Sequence, residues 1–165
     1  VTPSGEIHTY DKKHLFRMAG EDAVFSEGDK RPVFDLKGWK ICPQVCYDLR
    51  FPVFSRNSWR NDSSDYDLIF YIASWPKARA SAWDTLLPAR AIENLSYSLG
   101  VNRIGKDGNG IDYIGGSAVF DFKGEHLLDL ENNEEIGQVT LDYEALKRYR
   151  EKFPAWRDGD DFQVF

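Results

Sequence analysis

The sequence is poor in residues that cross-link a chain or bind a metal. Its 165 residues include only two cysteines, Cys42 and Cys46, and three histidines. If both cysteines lie on one strand, they face the same side but stand too far apart along it for a relaxed disulfide. A C-x3-C pair without a second ligand pair is also a poor zinc signature. We therefore expect free thiols in a reducing cytoplasm, and no metal.

The chain also lacks the features of membrane-bound and nucleic-acid-binding proteins. No apolar run reaches transmembrane length, and the apolar core of a signal peptide is missing. The formal net charge is −6, from 21 basic and 27 acidic residues. The basic stripe that nucleic-acid binding requires is absent. We therefore expect neither a membrane nor a nucleic acid as a partner.

The chain does have enough apolar and aromatic content for a folded domain. Hydrophobic residues make up 42% of the sequence and aromatic residues 15%, as is typical of a globular protein. Residues 1–6 have the composition of a strand end and a turn. They predict a hairpin with residues 8–10 whose first strand is largely missing. We therefore expect residues 1–165 to be the C-terminal portion of a longer single domain, with the aromatic residues 153–165 as a docking tail.

The order of the predicted elements defines the fold class. Strand-like and helix-like segments alternate, which predicts an α/β layered sandwich. The continuous apolar run at residues 67–74 predicts a strand buried on both faces. Residues 78–98 predict a helix that Pro88 kinks or splits. Further strands are predicted at residues 33–36, 39–46, 98–104, 113–122, 126–130 and 138–141, further helices at 50–59 and 143–152, and loops at 57–65 and 105–110.

One segment is informative about chemistry. The strand that starts at residue 39 is predicted to end at Cys46, and residues 47–52 then start a new element. A side chain at such an elbow is held rigidly at a crevice, and the next backbone N–H groups point toward the same crevice. A thiolate there can attack a carbonyl whose oxyanion the N–H stabilises. Taken alone, Cys46 fits a packed core residue better, because free cysteines are among the most buried residues.

Several motifs in register reverse that preference. Together they resemble the nitrilase (carbon–nitrogen hydrolase) superfamily over nearly the whole chain. Residues 11–21, Asp-Lys-Lys-His-Leu-Phe-Arg-Met-Ala-Gly-Glu, are most similar to its omega-amidase branch. The segments that carry the resemblance are residues 10–16, 46–52, 89–94, 102–108 and 113–117.

The resemblance implies a four-layer αββα sandwich and a Glu–Lys–Cys triad. By position Cys46 is the nucleophile, Lys12 is the family lysine, and Glu21 matches a second glutamate that orients the lysine and the substrate amide. An ammonium beside a thiol lowers its pKa and stabilises the tetrahedral oxyanion. The backbone N–H of Tyr47 is the second expected oxyanion donor. Because these residues supply nucleophile and electrophile, no cofactor is expected.

Other charged residues near the motifs have competing interpretations. Lys13 is a less favoured alternative to Lys12, because lysines are usually exposed. The resemblance gives His14 a structural position beside Lys12. Four further charged residues are predicted to support the elbow and the helix behind it: Asp48, Arg50, Arg90 and Glu93.

The expected general base is missing from these motifs. In the family it is a glutamate N-terminal to the lysine motif, but Glu6 lies in the predicted hairpin turn and does not match. We therefore expect the base to lie outside this chain. Without a base, a catalytically silent ligand-binding scaffold is the remaining interpretation. Sister activities also stay open: N-carbamoyl hydrolase, nitrilase and deaminated-glutathione amidase.

The substrate is predicted from the residues near one strand end. Tyr71, Trp75 and Arg79 lie around the end of the strand at 67–74, and ligands of α/β sheets bind beyond the carboxyl ends of strands. Arg79, or alternatively Arg103, can bind a carboxylate bidentately. The omega-amidase resemblance implies a small oxo-dicarboxylate monoamide such as 2-oxoglutaramate, cleaved through a cysteine thioester with release of ammonia. It also implies a homodimer.

Overall fold

The computed structural model describes residues 1–160 of the chain. Its first part contains two short 3-10 turns, Arg17–Ala19 and Glu21–Ala23, and no strand before Phe34. The predicted opening turn forms, with the Thr2 N–H donating to the Glu6 carbonyl at 2.9 Å. The second strand predicted for this hairpin does not form, because no described strand pairs with it.

The described residues form ten strands. In chain order they are β1 (Phe34–Leu36), β2 (Trp39–Val45), β3 (Trp59–Arg60), β4 (Ser63–Ser64), β5 (Leu68–Ala73), β6 (Tyr97–Asn102), β7 (Ile104–Lys106), β8 (Asp112–Ile114), β9 (Ala118–Phe120) and β10 (His126–Asp129). Six of them form one sheet in the order β1-β2-β5-β6-β9-β10. The other four form two small antiparallel pairs, β3–β4 and β7–β8.

Three α-helices and three further 3-10 turns connect these strands. The helices are α1 (Pro52–Ser55), α2 (Ala80–Asn94) and α3 (Tyr143–Lys152), and the turns are Cys46–Arg50, Lys77–Arg79 and Ala155–Asp158. The predicted helix at 50–59 is therefore too long, because the backbone becomes extended again at Arg56. The predicted loop at 57–65 contains the small β3–β4 hairpin.

The centre of the large sheet is parallel. Strand β2 pairs with β5, and β5 pairs with β6, all in parallel register. Val45 is opposite Ile72, and Ala73 is opposite Asn102. Because the carboxyl ends of these strands meet at one edge, the sheet places Cys46 beside the segment that follows β5, where α/β folds bind ligands.

Helix α2 covers one face of this sheet. It is a single helix that contains Pro88, so the predicted split does not occur. It packs closely on β6 at Gly100, where an added Cβ would lie 2.4 Å from Leu87 Cδ1 and 2.6 Å from Trp83 Cζ2. Ile69 and other β5 side chains on this face are fully buried against the helix.

The opposite face of the sheet is less covered. Alternate side chains of a strand point to opposite faces, and here Ile72 is 50% exposed and Val101 48% exposed. The expectation that β5 is buried on both faces is therefore wrong for the part of the chain that the structure describes. Apolar side chains occupy both faces of β5, but α2 buries only one of these faces.

The C-terminal part packs on the same chain. Helix α3 confirms the prediction at 143–152. It is capped by Asp142, whose carboxylate accepts the Ala145 N–H at 2.9 Å. Beyond it Trp156 stacks on Trp59, with ring centroids 4.7 Å apart. The rest of the predicted docking tail, residues 161–165, lies outside the described residues.

Three other predictions have different outcomes. The antiparallel pair β9–β10 confirms the predicted hairpin. The single strand predicted at 113–122 is wrong, because Gly115 and Gly116 at positive φ separate β8 from β9. Residues 138–141 form no strand, so that prediction is wrong. No helix among residues 1–160 is both long and apolar enough to cross a bilayer.

Candidate active site

The candidate nucleophile sits on a strained elbow. Strand β2 ends at Val45. The next residue, Cys46, has φ +46°, in the left-handed region of backbone conformation that residues other than glycine seldom adopt. The 3-10 turn Cys46–Arg50 begins at this residue. Strain of this kind persists only where the surroundings hold it, and it concentrates at functional sites. The abrupt turn places the sulfur at the edge of the sheet.

Burial and a nearby ammonium act in opposite directions on the pKa of the Cys46 thiol. Its Sγ donates a long hydrogen bond to the Ser74 carbonyl at 3.8 Å. Burial raises the pKa of the Cys46 thiol, while the Lys12 ammonium and the Ser74 hydrogen bond lower it in part. Burial is the larger effect, so the pKa of Cys46 stays above that of an ordinary cysteine despite the nearby lysine.

Lys12 and Glu21 form a close ion pair. The Lys12 ammonium lies 2.5 Å from Glu21 Oε2, which also accepts the Phe16 N–H at 2.8 Å. Gly20, at φ +72°, joins two 3-10 turns and reverses the chain so that Glu21 returns to the lysine. Burial opposes ionisation of Glu21, but the hydrogen bonds from Lys12 and Phe16 outweigh it and lower the pKa.

A groove of about 800 Å³ joins these groups. Cys46, Lys12, Glu21 and Arg79 all line it, so the structure brings four of the six predicted site residues to one cavity. Its charged lining also includes Asp11 and Asp107. The other main lining residues are Tyr10, Phe16, Phe25, Ile72, Ser74, Asn109, Ile111 and Tyr113.

Arg79 is the cation of this groove that no carboxylate neutralises. Its guanidinium lies over the Phe16 ring, 5.1 Å from the centroid, and residues 1–160 offer it no ion pair or side-chain hydrogen bond. Lys12, in contrast, is paired with Glu21. The groove therefore presents an unneutralised guanidinium that suits an anionic group of a ligand.

Two predicted substrate contacts do not reach the groove through their side chains. Trp75 is 3% exposed, donates its indole N–H to the Arg79 carbonyl at 2.7 Å and packs against Trp83. Tyr71 is fully buried and donates to the Ser55 hydroxyl. Trp75 is therefore a core residue that supports Arg79 from behind, and its proposed substrate contact is corrected accordingly.

Other candidates also lie away from the cavity. The Tyr47 ring packs edge-on against Phe16 and Phe51 and does not line the groove. Arg103 is exposed, with its guanidinium over the Tyr113 ring at 4.7 Å. Tyr47 can therefore contribute to the site only through its backbone N–H. Of the two candidate arginines, Arg79 is the one that lines the groove.

Lys13, the alternative to Lys12, and Glu6, the acidic residue nearest to the lysine motif, also lie away from the groove. Lys13 lies 3.3 Å from Glu27 and outside the groove lining. Glu6 is an exposed residue that faces His8 at 3.6 Å, and it does not line the groove either. Lys12 is thus the lysine of the cavity, and Glu6 has no access to Cys46.

One wall of the groove is a loop whose part in the site the sequence did not reveal. Between β7 and β8, the Asp107 carboxylate accepts the backbone N–H groups of Asn109 and Ile111, each at 2.9 Å, and the Tyr113 hydroxyl at 3.0 Å. These bonds fix a compact loop whose side chains face the cavity. The motifs at 102–108 and 113–117 were the sequence signals for this wall.

The charged supports of the elbow are arranged differently from the prediction. Arg90 is buried and donates to the Leu49 carbonyl at 2.6 Å and to Glu93 at 2.8 Å, so it ties α2 to the elbow. Arg50 instead lies over the Trp75 ring at 5.1 Å. Asp48 pairs with His14 rather than with an arginine.

The described residues contain no group of three or more histidine, cysteine, aspartate or glutamate side chains arranged to hold a metal ion. Cys46, Lys12 and Glu21 instead form a thiol, ammonium and carboxylate set in one groove. This set can supply a nucleophile and a fixed positive charge for a developing oxyanion.

Fold, site and sequence together define the class of protein. A family model for carbon-nitrogen hydrolases matches residues 1–151, and the chain therefore belongs to the carbon-nitrogen hydrolase family. The predicted superfamily and its nitrilase-type α/β fold are confirmed. The described residues contain one six-stranded sheet of that sandwich with α2 on one face.

Particular relatives agree with the omega-amidase resemblance. The chain is 48% identical over 166 residues to the omega-amidase YafV of Escherichia coli (strain K12), covering 100% of this chain and 63% of that protein. It is 32% identical over 152 residues to the 2-oxoglutaramate amidase of Bacillus subtilis (strain 168), covering 92% and 57%. The predicted similarity to this branch is confirmed.

A solved structure gives the same result for the fold. XC1258 from Xanthomonas campestris, a CN-hydrolase superfamily protein with an arsenic adduct in its active site, matches with a TM-score of 0.97 at 48% identity. The match covers 99% of this chain and 63% of that one. The chain thus spans about 57–63% of the length of these relatives.

Proposed function

We propose that the full-length protein is an amidase that hydrolyses the side-chain amide of a small oxo-dicarboxylate monoamide and releases ammonia. The observation that carries the proposal is the shared groove of Cys46, the Lys12–Glu21 pair and the unneutralised Arg79. The first three groups fit acyl transfer from an amide. The fourth fits a substrate that carries a carboxylate.

The proposed reaction starts with removal of the Cys46 proton by a base. The thiolate then attacks the amide carbon, and a carbon–sulfur bond forms while the carbonyl oxygen becomes negative. Lys12 and the backbone N–H of Tyr47 stabilise this oxyanion. Collapse breaks the carbon–nitrogen bond, and the proton held by the base leaves with ammonia. Water then attacks the thioester and gives a proton to the base. The carbon–sulfur bond breaks, the base passes this proton to the sulfur, and the acid is released.

Glu21 is not the base in this scheme. Its carboxylate is already engaged by Lys12 and by the Phe16 N–H, which favour the ionised and acceptor-only state. It instead fixes the ammonium of Lys12 and accepts a hydrogen bond from the substrate amide. We assign the base to a glutamate of the full-length protein outside residues 1–165.

The substrate class is inferred from Arg79. A guanidinium binds a carboxylate through two parallel hydrogen bonds, and this one faces the groove without a partner in residues 1–160. The Bacillus subtilis relative is named a 2-oxoglutaramate amidase, which agrees with a ligand of this type. We also propose a homodimer, on the family resemblance and the aromatic C-terminal tail, and a cytoplasmic location, on the two cysteines expected to be free thiols.

The test compares ammonia release by the full-length protein from 2-oxoglutaramate, a carbamoyl amino acid and a simple aliphatic amide. We expect 2-oxoglutaramate to be preferred over the aliphatic amide by about 1–3 kcal/mol of transition-state binding, because the neutral amide leaves the guanidinium without a partner. Cys46→Ala is expected to abolish turnover of every substrate. Equal cleavage of the neutral amide would contradict the substrate class, and turnover by Cys46→Ala would contradict the mechanism.

A further inference from the structure

A buried carboxylate links the two catalytic segments. Asp48 is fully buried. Its Oδ2 accepts the Tyr10 hydroxyl at 2.8 Å and the Val45 N–H at 3.0 Å. Its Oδ1 accepts the His14 N–H at 2.9 Å and lies 2.8 Å from His14 Nδ1. Four polar groups from two distant parts of the chain thus converge on one side chain.

These partners flank the catalytic residues. Tyr10 and His14 stand two residues before and two residues after Lys12, while Val45 directly precedes Cys46. Within residues 1–160, no other hydrogen bond connects residues 10–14 with residues 45–50. The Asp48 carboxylate is therefore the polar connection between the lysine segment and the cysteine elbow.

Packing reinforces the connection but does not replace it. The His14 ring stacks on Phe51 with centroids 3.7 Å apart and planes 6° from parallel. Ring stacking allows sliding, whereas a carboxylate with four directed donors fixes both distance and orientation. The donor state of Tyr10 is secure, since burial and the Asp48 charge both raise the pKa of its hydroxyl.

We propose that Asp48 is a positioning residue that sets the placement of the Lys12 ammonium relative to the Cys46 sulfur. It touches neither the groove nor the reacting atoms, because it does not line the cavity. Its effect passes through Tyr10 and His14 to Lys12, and through Val45 to Cys46. The proposal depends on the proposed function only where turnover is measured.

A positioning role of Asp48 and a direct effect of its charge change the pKa of Cys46 in opposite directions, so an experiment can distinguish them. Its own negative charge raises the pKa of Cys46, whereas the Lys12 ammonium lowers it. Replacing the carboxylate by an amide removes the first effect, which makes the thiol more acidic. Displacing Lys12 makes the thiol less acidic. The charged and titratable groups that face the sulfur or line its groove are Lys12, Glu21, Asp48, Tyr10, Asp11, Arg79, Asp107 and Tyr113.

The experiment measures the rate of iodoacetamide alkylation of Cys46 against pH in the full-length protein. The variants are Asp48→Asn and Tyr10→Phe, with Cys46→Ala as the blank. Tyr10→Phe keeps the Asp48 charge and the Val45 hydrogen bond. It removes the hydrogen bond to Asp48 and the one that the hydroxyl accepts from the Lys13 N–H at 3.2 Å. We expect alkylation near neutral pH to slow about tenfold in Asp48→Asn, which corresponds to a pKa higher by about one, and about threefold in Tyr10→Phe.

Asp67→Asn is the matched control. Asp67 is also a buried carboxylate, 2% exposed, that accepts the Lys40 N–H at 3.0 Å and pairs with Arg150. It lies outside the groove lining. We expect this variant to lower thermal stability but to leave the pH profile of alkylation unchanged.

The outcomes divide clearly. Unchanged or faster alkylation in Asp48→Asn overturns the proposal, as does an equal slowing in Asp67→Asn. If Asp48→Asn does not fold, Tyr10→Phe decides: slowing supports the proposal, and an unchanged profile overturns it. In turnover assays we expect Tyr10→Phe to lower kcat with little change in KM. A wild-type protein that alkylates as expected but cleaves no amide contradicts the proposed function and leaves the positioning result intact.

Discussion

The Lys12 ammonium lies 2.5 Å from the Glu21 carboxylate, although nine positions separate the two residues in the chain. The turn at Gly20 creates this contact by reversing the backbone between two 3-10 turns. The same oxygen of Glu21 accepts the Phe16 N–H. One carboxylate therefore fixes both the charge and the backbone of the lysine segment.

The first prediction concerns the pH dependence of this pair. The fold lowers the pKa of Glu21, so its contribution to the free energy of unfolding is present above the unfolded-state pKa of a glutamate, about 4.3. It is lost as the pH falls through the lower folded-state value. We expect Glu21→Gln to be less stable than wild type by about 0.5–1 kcal/mol at pH 7, as for a partly exposed pair.

Urea denaturation of the full-length protein at pH 7 and at the lowest pH where both proteins fold measures this difference. The gap between the two proteins should narrow toward acid pH. A Glu27→Gln variant is the control, because Glu27 forms an exposed pair with Lys13 and lies outside the groove. A Glu21→Gln gap that widens toward acid pH would refute the sign.

The second prediction concerns the selectivity of thiol chemistry. Cys46 lines the groove, whereas Cys42 is 0% exposed and burial raises the pKa of Cys42 to about 12. The thiolate is the reactive form. We expect iodoacetamide to modify Cys46 at least about a hundredfold faster than Cys42 in the folded protein, as measured by peptide mass spectrometry.

Two variants complete this experiment. Cys42→Ala should leave the labelling of Cys46 unchanged, and Cys46→Ala should remove rapid labelling. Unfolding in urea should make both thiols of the wild-type protein react at similar rates. Comparable labelling of Cys42 without urea would contradict its burial in the folded protein.

Local patterns in the sequence predicted the frame of this site. The apolar runs that form β2 and β5 and the abrupt end at Cys46 are local features. The parallel pairing that sets Val45 opposite Ile72 is a tertiary contact that these features do not specify. The continuity of α2 through Pro88 was not predictable, because packing against the sheet outweighs the lost hydrogen bond of one proline.

Residues near a strand end were harder to assign. Tyr71 and Ile72 are neighbours in the sequence, yet the first is buried under α2 and the second lines the groove. Which face a helix covers is a tertiary fact that a continuous apolar run does not contain. Trp75 was misassigned for the same reason, and the wall at Asp107 depends on hydrogen bonds between residues of a folded loop.

The third prediction tests the packing of α2 on the sheet. A Cβ at position 100 would lie 2.4 Å from Leu87 Cδ1 and 2.6 Å from Trp83 Cζ2, and both of those side chains are 1% exposed. We expect Gly100→Ala to lower the free energy of unfolding by about 1–3 kcal/mol, the usual effect of overpacking a core. Gly108→Ala is the control, since a Cβ there meets nothing within 4 Å. Equal urea midpoints for the two variants would contradict the close approach.

The fourth prediction concerns the arginine of the groove. Arg79 faces the cavity without a carboxylate partner in residues 1–160, whereas Arg103 lies over Tyr113 and outside the lining. We expect Arg79→Gln to lower kcat/KM for 2-oxoglutaramate. The loss corresponds to about 1–3 kcal/mol of transition-state binding, because the bound carboxylate loses its charged partner. Hydrolysis of a neutral aliphatic amide should change little. Arg103→Gln is the control and should leave both rates near those of wild type; the reverse pattern would assign the carboxylate to Arg103.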